Sequence, residues 1–109
     1  MADLAVQAVS LSGLNPSFVA AAAGGDAFLN AGREFLHVKN GGGSEVTVTV
    51  DSQVPCNQGY DHNAVVAVPA GQERLIGPFP KARFDYANQK VQVAYSDVTS
   101  VTVAAVRLP

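Results

Sequence analysis

Ser52, Asp61 and His62 are the residue types that a hydroxyl nucleophile, an orienting acid and a base would supply, and all three fall between residues 51 and 63. Asp61 and His62 are chain neighbours, and adjacent residues do not take up triad geometry; no serine of the nucleophile-elbow type accompanies them. Cys56, Asp61 and His62 could instead ligate a metal, with Cys56 and His62 spaced C-x5-H. The chain has a single Cys, and a closed four-ligand site needs more thiols or imidazoles than this segment holds. No metal, cofactor or catalytic residue is expected. The other histidine, His37, lies between Phe35 and Lys39 on an alternating stretch. A water-filled cleft where His37 or His62 met a carboxylate would speak for acid–base chemistry instead.

Two glycine-rich stretches, residues 23–26 and 40–44, lack the Lys-Ser/Thr and the following helix of a phosphate loop, so they read as turns. Lys81, Arg83, Phe84 and Tyr86 mix cations with aromatics, as a nucleic-acid surface does. The whole chain, however, carries seven basic against nine acidic residues, a formal charge of −2, and offers no basic field. No nucleic acid is expected as a partner. No membrane is expected either, since the longest apolar run, Phe18 to Ala23, falls far below the ~20 residues of a spanning helix. The opening Met1-Ala2-Asp3-Leu4 has no basic region and does not read as a secretory leader.

The elements that would position these groups are strands. Of 109 residues, 48% are hydrophobic and 15% charged, the latter below the ~25% of ordinary soluble domains. Valine alternates with threonine or polar residues over 44–50, 90–95 and from 100 onward, a period of two. Residues 33–40 alternate as well, and Asn40-Gly41-Gly42-Gly43 predicts a hairpin into the Val46 strand. Further strands are expected at Leu4 to Ser10, Ala64 to Val68 and Glu73 to Ile76, with Pro69-Ala70-Gly71-Gln72 as a turn. Pro16 to Asn30 reads as an extended small-residue segment or a loop with one helical turn. The expectation is one domain over residues 1–109, an all-β, antiparallel β-sandwich of jelly-roll or immunoglobulin-like type with about seven or eight short strands. Residues 1–13 form a possible N-terminal arm. Apolar side chains recur on both faces around Leu4, Val65 and Val101, which fits either an internal strand or a face that meets another subunit.

Three stretches, GREFLHVKNGG (Gly32 to Gly42), VPAGQERLIGPFP (Val68 to Pro80) and YSDVTSVTVAAVRL (Tyr95 to Leu108), cover about half of the chain. They resemble small β-sandwich virion proteins of tailed bacteriophages and prophages, among them the capsid decoration, or auxiliary head, proteins. The resemblance implies a non-enzymatic protein made in the host bacterial cytoplasm and bound to the capsid exterior. Its implied partners are the major capsid protein and further copies of itself, a trimer being favoured. Contact residues expected on this view are Leu4, Val6 and Val9 in the arm, Phe79, Arg83, Phe84 and Tyr86 near the Gly77-Pro78 segment, and Tyr60 in the long loop. Another phage structural role, in head–tail joining, the tail or a head fibre, stays open. So does a carbohydrate-binding β-sandwich, although the absence of Trp and the presence of only three Tyr give it little help.

Overall fold

Every second residue being valine or another β-branched type leaves one dry and one wet side per strand. The computed structural model describes residues 2–52, 63–84 and 89–108, without the side chains of Ala82 and Arg83. It shows the strands β1 (Ala2–Leu4), β2 (Val6–Ala8), β3 (Val19–Ala20), β4 (Asp26–Leu29), β5 (Glu34–Asn40) and β6 (Val46–Val50). β7 (Ala64–Val68), β8 (Glu73–Ile76), one helical turn α1 (Lys81–Phe84), β9 (Lys90–Tyr95) and β10 (Val101–Arg107) follow. The described residues are all-β apart from that turn.

The strands form two sheets. Sheet I runs β1-β4-β9-β6-β7, and sheet II runs β2-β10-β5-β8, with β3 also on β10. Both sheets bury their alternate residues in one cluster. Phe28, Val48, Val50, Val91 and Val93 come from sheet I, and Leu36, Val38, Ile76, Val101, Val103 and Ala105 come from sheet II. Each buried aliphatic side chain contributes about 1.5–3 kcal/mol, so this single layer carries the fold. The molecule is accordingly thin, 37 × 35 × 20 Å.

The hairpin expected at Asn40–Gly43 is not formed. β5 pairs with β10 and β8, whereas β6 pairs with β7 and β9, so the glycine loop arches from one sheet to the other. Both strands have a fully dry face, and two dry faces are covered more completely by opposing each other than by lying side by side. The buried Asn40 side chain fixes the arch. Its Nδ2 donates to the Ser44 carbonyl at 2.7 Å and the Val68 carbonyl at 3.0 Å, and its Oδ1 accepts from the Gly42 amide at 3.0 Å. The Pro69–Gln72 turn is present, with Gly71 at φ +74° and the Gln72 amide donating to the Pro69 carbonyl. It too passes between the sheets.

Pairing is mixed rather than wholly antiparallel, and the N-terminal stretch is the reason. The strand expected from Leu4 to Ser10 breaks at Ala5: β1 lies parallel to β4 in sheet I, and β2 lies parallel to β10 in sheet II. Residues 9–18 then fold back over the outer side of sheet II before β3 joins β10. Ala104 and Val106 face outward from β10 yet are only 2% and 4% exposed. The apolar second face around Val101 is therefore covered by the chain's own strap. Residues 16–30 are extended through β3 and β4 except for one tight turn between them, where the Gly25 amide donates to the Ala22 carbonyl at 2.9 Å.

Candidate functional site

Ionisable groups inside the fold are tied to structural partners. Glu34, at the start of β5, has no solvent exposure. Its carboxylate accepts from Arg107 Nε at 2.8 Å and from the amides of Ala31 at 2.7 Å and Arg33 at 3.0 Å. Burial pushes its pKa up, but those hydrogen bonds and the Arg107 charge outweigh burial and hold it below the ordinary carboxylate value. Asp26 is buried too, and accepts from the Tyr95 hydroxyl at 2.8 Å and the Ala22 amide at 3.3 Å. Burial first, then the bond to Asp26 and its charge, push the Tyr95 phenol far above its usual range. These groups join elements; they do not open onto a cleft.

One histidine does meet a carboxylate. His37 Nε2 stands 2.9 Å from Glu73 Oε1, across the β5–β8 pair. The Phe18 ring packs edge-on against His37 at 4.9 Å, and Lys39 Nζ lies 4.0 Å above the centre of the same ring. The adjoining groove, 300 Å³, is lined mainly by Val9, Leu14, Pro16, Phe35, Leu75 and Val106. Its hydroxyl, Ser10, is engaged with Ser12 at 3.0 Å. A general base needs a proton-bearing group of the reactant within hydrogen-bond reach. This dyad instead faces an aromatic ring and an aliphatic wall, and its physical effect is to clamp Phe18, and with it the strap, onto sheet II.

The surfaces with binding character are the two outward sheet faces. On sheet I, β4 presents Ala27 and Leu29, β9 presents Gln92 and Ala94, β6 presents Thr47 and Thr49, and β7 presents Val65 and Ala67. None of these is charged, but Lys90 stands on the same side of β9 and reaches across β4 to Asp3 of β1 at 2.9 Å, over Ala27, which is 5% exposed. Leu29 and Val65 are 49% and 62% exposed. On sheet II the groove continues past Phe35 and Leu75 into a second hollow of 210 Å³ walled by Ile76, Gly77, Pro78 and Leu108. Gly77 is required there: its φ is +136°, and an added Cβ would lie 2.9 Å from the Phe35 Cβ. A further notch of 440 Å³ opens where the chain crosses between the sheets, lined by Leu4, Ala5, Val19, Val103 and Ala104 with Asp3, Gln7 and Ser17.

The residues expected to make contacts are scattered by this arrangement. Leu4 belongs to the core and Val6 packs against it. Val9 lines the sheet II groove, and its amide donates to the Arg107 carbonyl. Phe79 and Phe84 are 2% and 3% exposed; Phe79 packs against Phe28 and Phe84, with ring centres 5.7 and 5.4 Å apart. Their side chains face the interior. Tyr60, Tyr86 and the Arg83 side chain lie outside the described residues, as do Cys56, Asp61 and His62. Among the described residues no His, Cys, Asp and Glu cluster could hold a metal, and no helix is long and apolar enough to cross a membrane. Sequence reasoning missed Leu75. Its signal was available: counting by twos from an inward Ile76 turns Leu75 out of the β8 strand.

No family model, curated protein or solved structure matches this chain.

Proposed function

We propose that this chain is a virion structural protein of a tailed bacteriophage, a decoration protein that lies on the exterior of the assembled head and stabilises it. The observation that carries this reading is the outward face of sheet I over β6 and β7, where Thr47, Thr49, Val65 and Ala67 place no charge; the charged pair Lys90–Asp3 lies beyond it, across β4. Such a face loses little hydration on contact, because burying Ala, Thr and Val strands no charge. It suits a partner that is itself a broad protein surface, here the major capsid protein. The reading takes the two sheets as a β-sandwich of jelly-roll or immunoglobulin-like type, a stiff scaffold that acts by contact and performs no catalysis. It also takes the working form as a homo-oligomer, a trimer on the resemblance, since several weak contacts repeated over a lattice bind far more tightly than one.

Sedimentation with undecorated capsids of the phage or prophage that encodes the chain tests the proposal. Stoichiometric pelleting is the expected result. A chain that stays in the supernatant while forming rings or tubes alone would move it to a joining or tail role. Saturable binding on a glycan array would move it to a carbohydrate module.

A further inference from the structure

A two-sheet fold has edges as well as faces, and the edges of this one are not alike. At the outer edge of sheet II, β8 carries Glu73 and Arg74 and runs into Gly77-Pro78. The other edge of that sheet is made by β2 and β3, of three and two residues. The Gln7 side chain bridges them, bonding both the amide and the carbonyl of Ser17 at 2.8 Å. In sheet I, β1 has three residues and carries Asp3. Short strands, charges and prolines are the devices that keep natural sheet edges from pairing. The strand β7 has none of them. It is five residues long, Ala64-Val65-Val66-Ala67-Val68, lies at the outside of sheet I and holds no charge.

The ladder fixes which of its backbone groups are open. The Ser96 amide donates to the Thr47 carbonyl and the Asp51 amide to the Gln92 carbonyl, so Thr47, Thr49 and Asp51 turn their backbone groups toward β9. The alternate residues of β6 turn the other way, and Val46, Val48 and Val50 bond Val68, Val66 and Ala64. The amides and carbonyls of Val65 and Ala67 therefore point out of the sheet, with no hydrogen-bond partner among the described residues.

A second β7, antiparallel and related by a two-fold axis normal to the sheet through Val66, fits this edge in one register. Val65 of each copy lies opposite Ala67 of the other, and four N–H···O bonds close between them. On the outward side each valine meets the smaller alanine, and on the inward side Val66 meets Val66. Moving the axis to Ala67 would set Val65 against Pro69, which has no N–H, and moving it to Val65 would set Ala67 against Asn63, outside the strand. A two-fold pair consumes both open edges and stops there, whereas an unrelated strand would bring a new open edge of its own. We propose that β7 is the contact between two copies of this chain, joining their sheets I edge to edge through Val65, Val66 and Ala67. This goes beyond the capsid reading and is tested without capsids; the axis normal to the sheet leaves both outward faces of sheet I open on the same side. Five residues a side fall far below the ~20–30 of a standard interface, so the association is weak and concentration-dependent.

Sedimentation velocity of the full chain alone, from about 10 μM to about 1 mM, tests the inference, that range bracketing a weak complex. A shift from monomer to dimer is the expected result. Ala67→Pro removes an outward amide that the fold itself does not use, and with it two of the four bonds per dimer. It should weaken the dimer by more than about tenfold, with the circular dichroism spectrum unchanged. Val65→Lys, which puts a charge on the edge, is the second variant and should do the same. Cross-linking in a Cys56→Ser background reads the register. Val66→Cys sets two thiols across a non-hydrogen-bonded pair, about 4.5 Å between Cα atoms, and should oxidise to a covalent dimer. Val65→Cys, although Val65 is 62% exposed, sets its thiols two residues out of step and should not. Three results overturn the proposal: a monomer or a trimer throughout, a dimer that both Ala67→Pro and Val65→Lys leave intact, or Val65→Cys linking as fast as Val66→Cys.

Discussion

Glu34 shows how a single buried acid can be an asset to a small fold. Its charge is satisfied by two amides at the mouth of β5 and by Arg107 at the end of β10, residues 73 positions apart. Glu34→Gln keeps the shape but loses the charge, and is expected to cost about 2–3 kcal/mol at neutral pH, measured by denaturant unfolding. The pH dependence follows from the lowered pKa. A carboxyl more acidic in the folded than in the unfolded chain adds stability that is fully present above its ordinary value and is lost as pH falls through the folded value. The native chain should therefore lose stability on acidification below about pH 4.5, and the gap to Glu34→Gln should narrow over the same window. Phe79 makes the complementary case. Its ring packs between Phe28 and Phe84, so Phe79→Ala is expected to cost about 3–5 kcal/mol in unfolding rather than to act as a contact mutation.

Strands were legible one at a time, and their partners were not. Alternation within 46–50, 64–68, 73–76 and 90–95 is a local property, and the structure places β6, β7, β8 and β9 there. Whether a glycine loop closes a hairpin or arches between sheets is settled by residues far away, here the Val68 carbonyl that receives Asn40. The same distance hides the His37–Glu73 dyad, 36 residues apart, and the split of the first strand at Ala5. Asn40→Ala tests the arch. It leaves the Ser44 and Val68 carbonyls without their donor, and should cost about 2–4 kcal/mol as the sum of two lost hydrogen bonds and the partial orphaning of a buried carbonyl. Urea unfolding of this variant against the native chain measures it; a change below 0.5 kcal/mol, the size of an ordinary surface substitution, would remove Asn40 from that role.

At the scale of the whole molecule, low charge acquires a location. The sequence shows 15% charged residues and apolar side chains on both faces of some strands, but not which faces stay open. Three causes prove separate in the structure. Around Val101 the second face is closed by the strap over Ala104 and Val106; on sheet II an apolar groove is left open beside it; on sheet I the outward sides of β6 and β7 are uncharged. Phe79 and Phe84, expected as contacts from their aromatic character, lie in the core instead, because the space between the two sheets is filled by their rings against Phe28. Thr49, central on the sheet I face and paired on both sides by Val65 and Ala94, is the position where that account can be put at most risk. Thr49→Arg adds a charge to an open face and should change unfolding stability by less than about 0.5 kcal/mol. The decisive measurement is the amount of this variant, relative to the native chain, that pellets with undecorated capsids: near-complete loss of binding at unchanged stability is expected, and native-level occupancy by Thr49→Arg would contradict a capsid contact through sheet I.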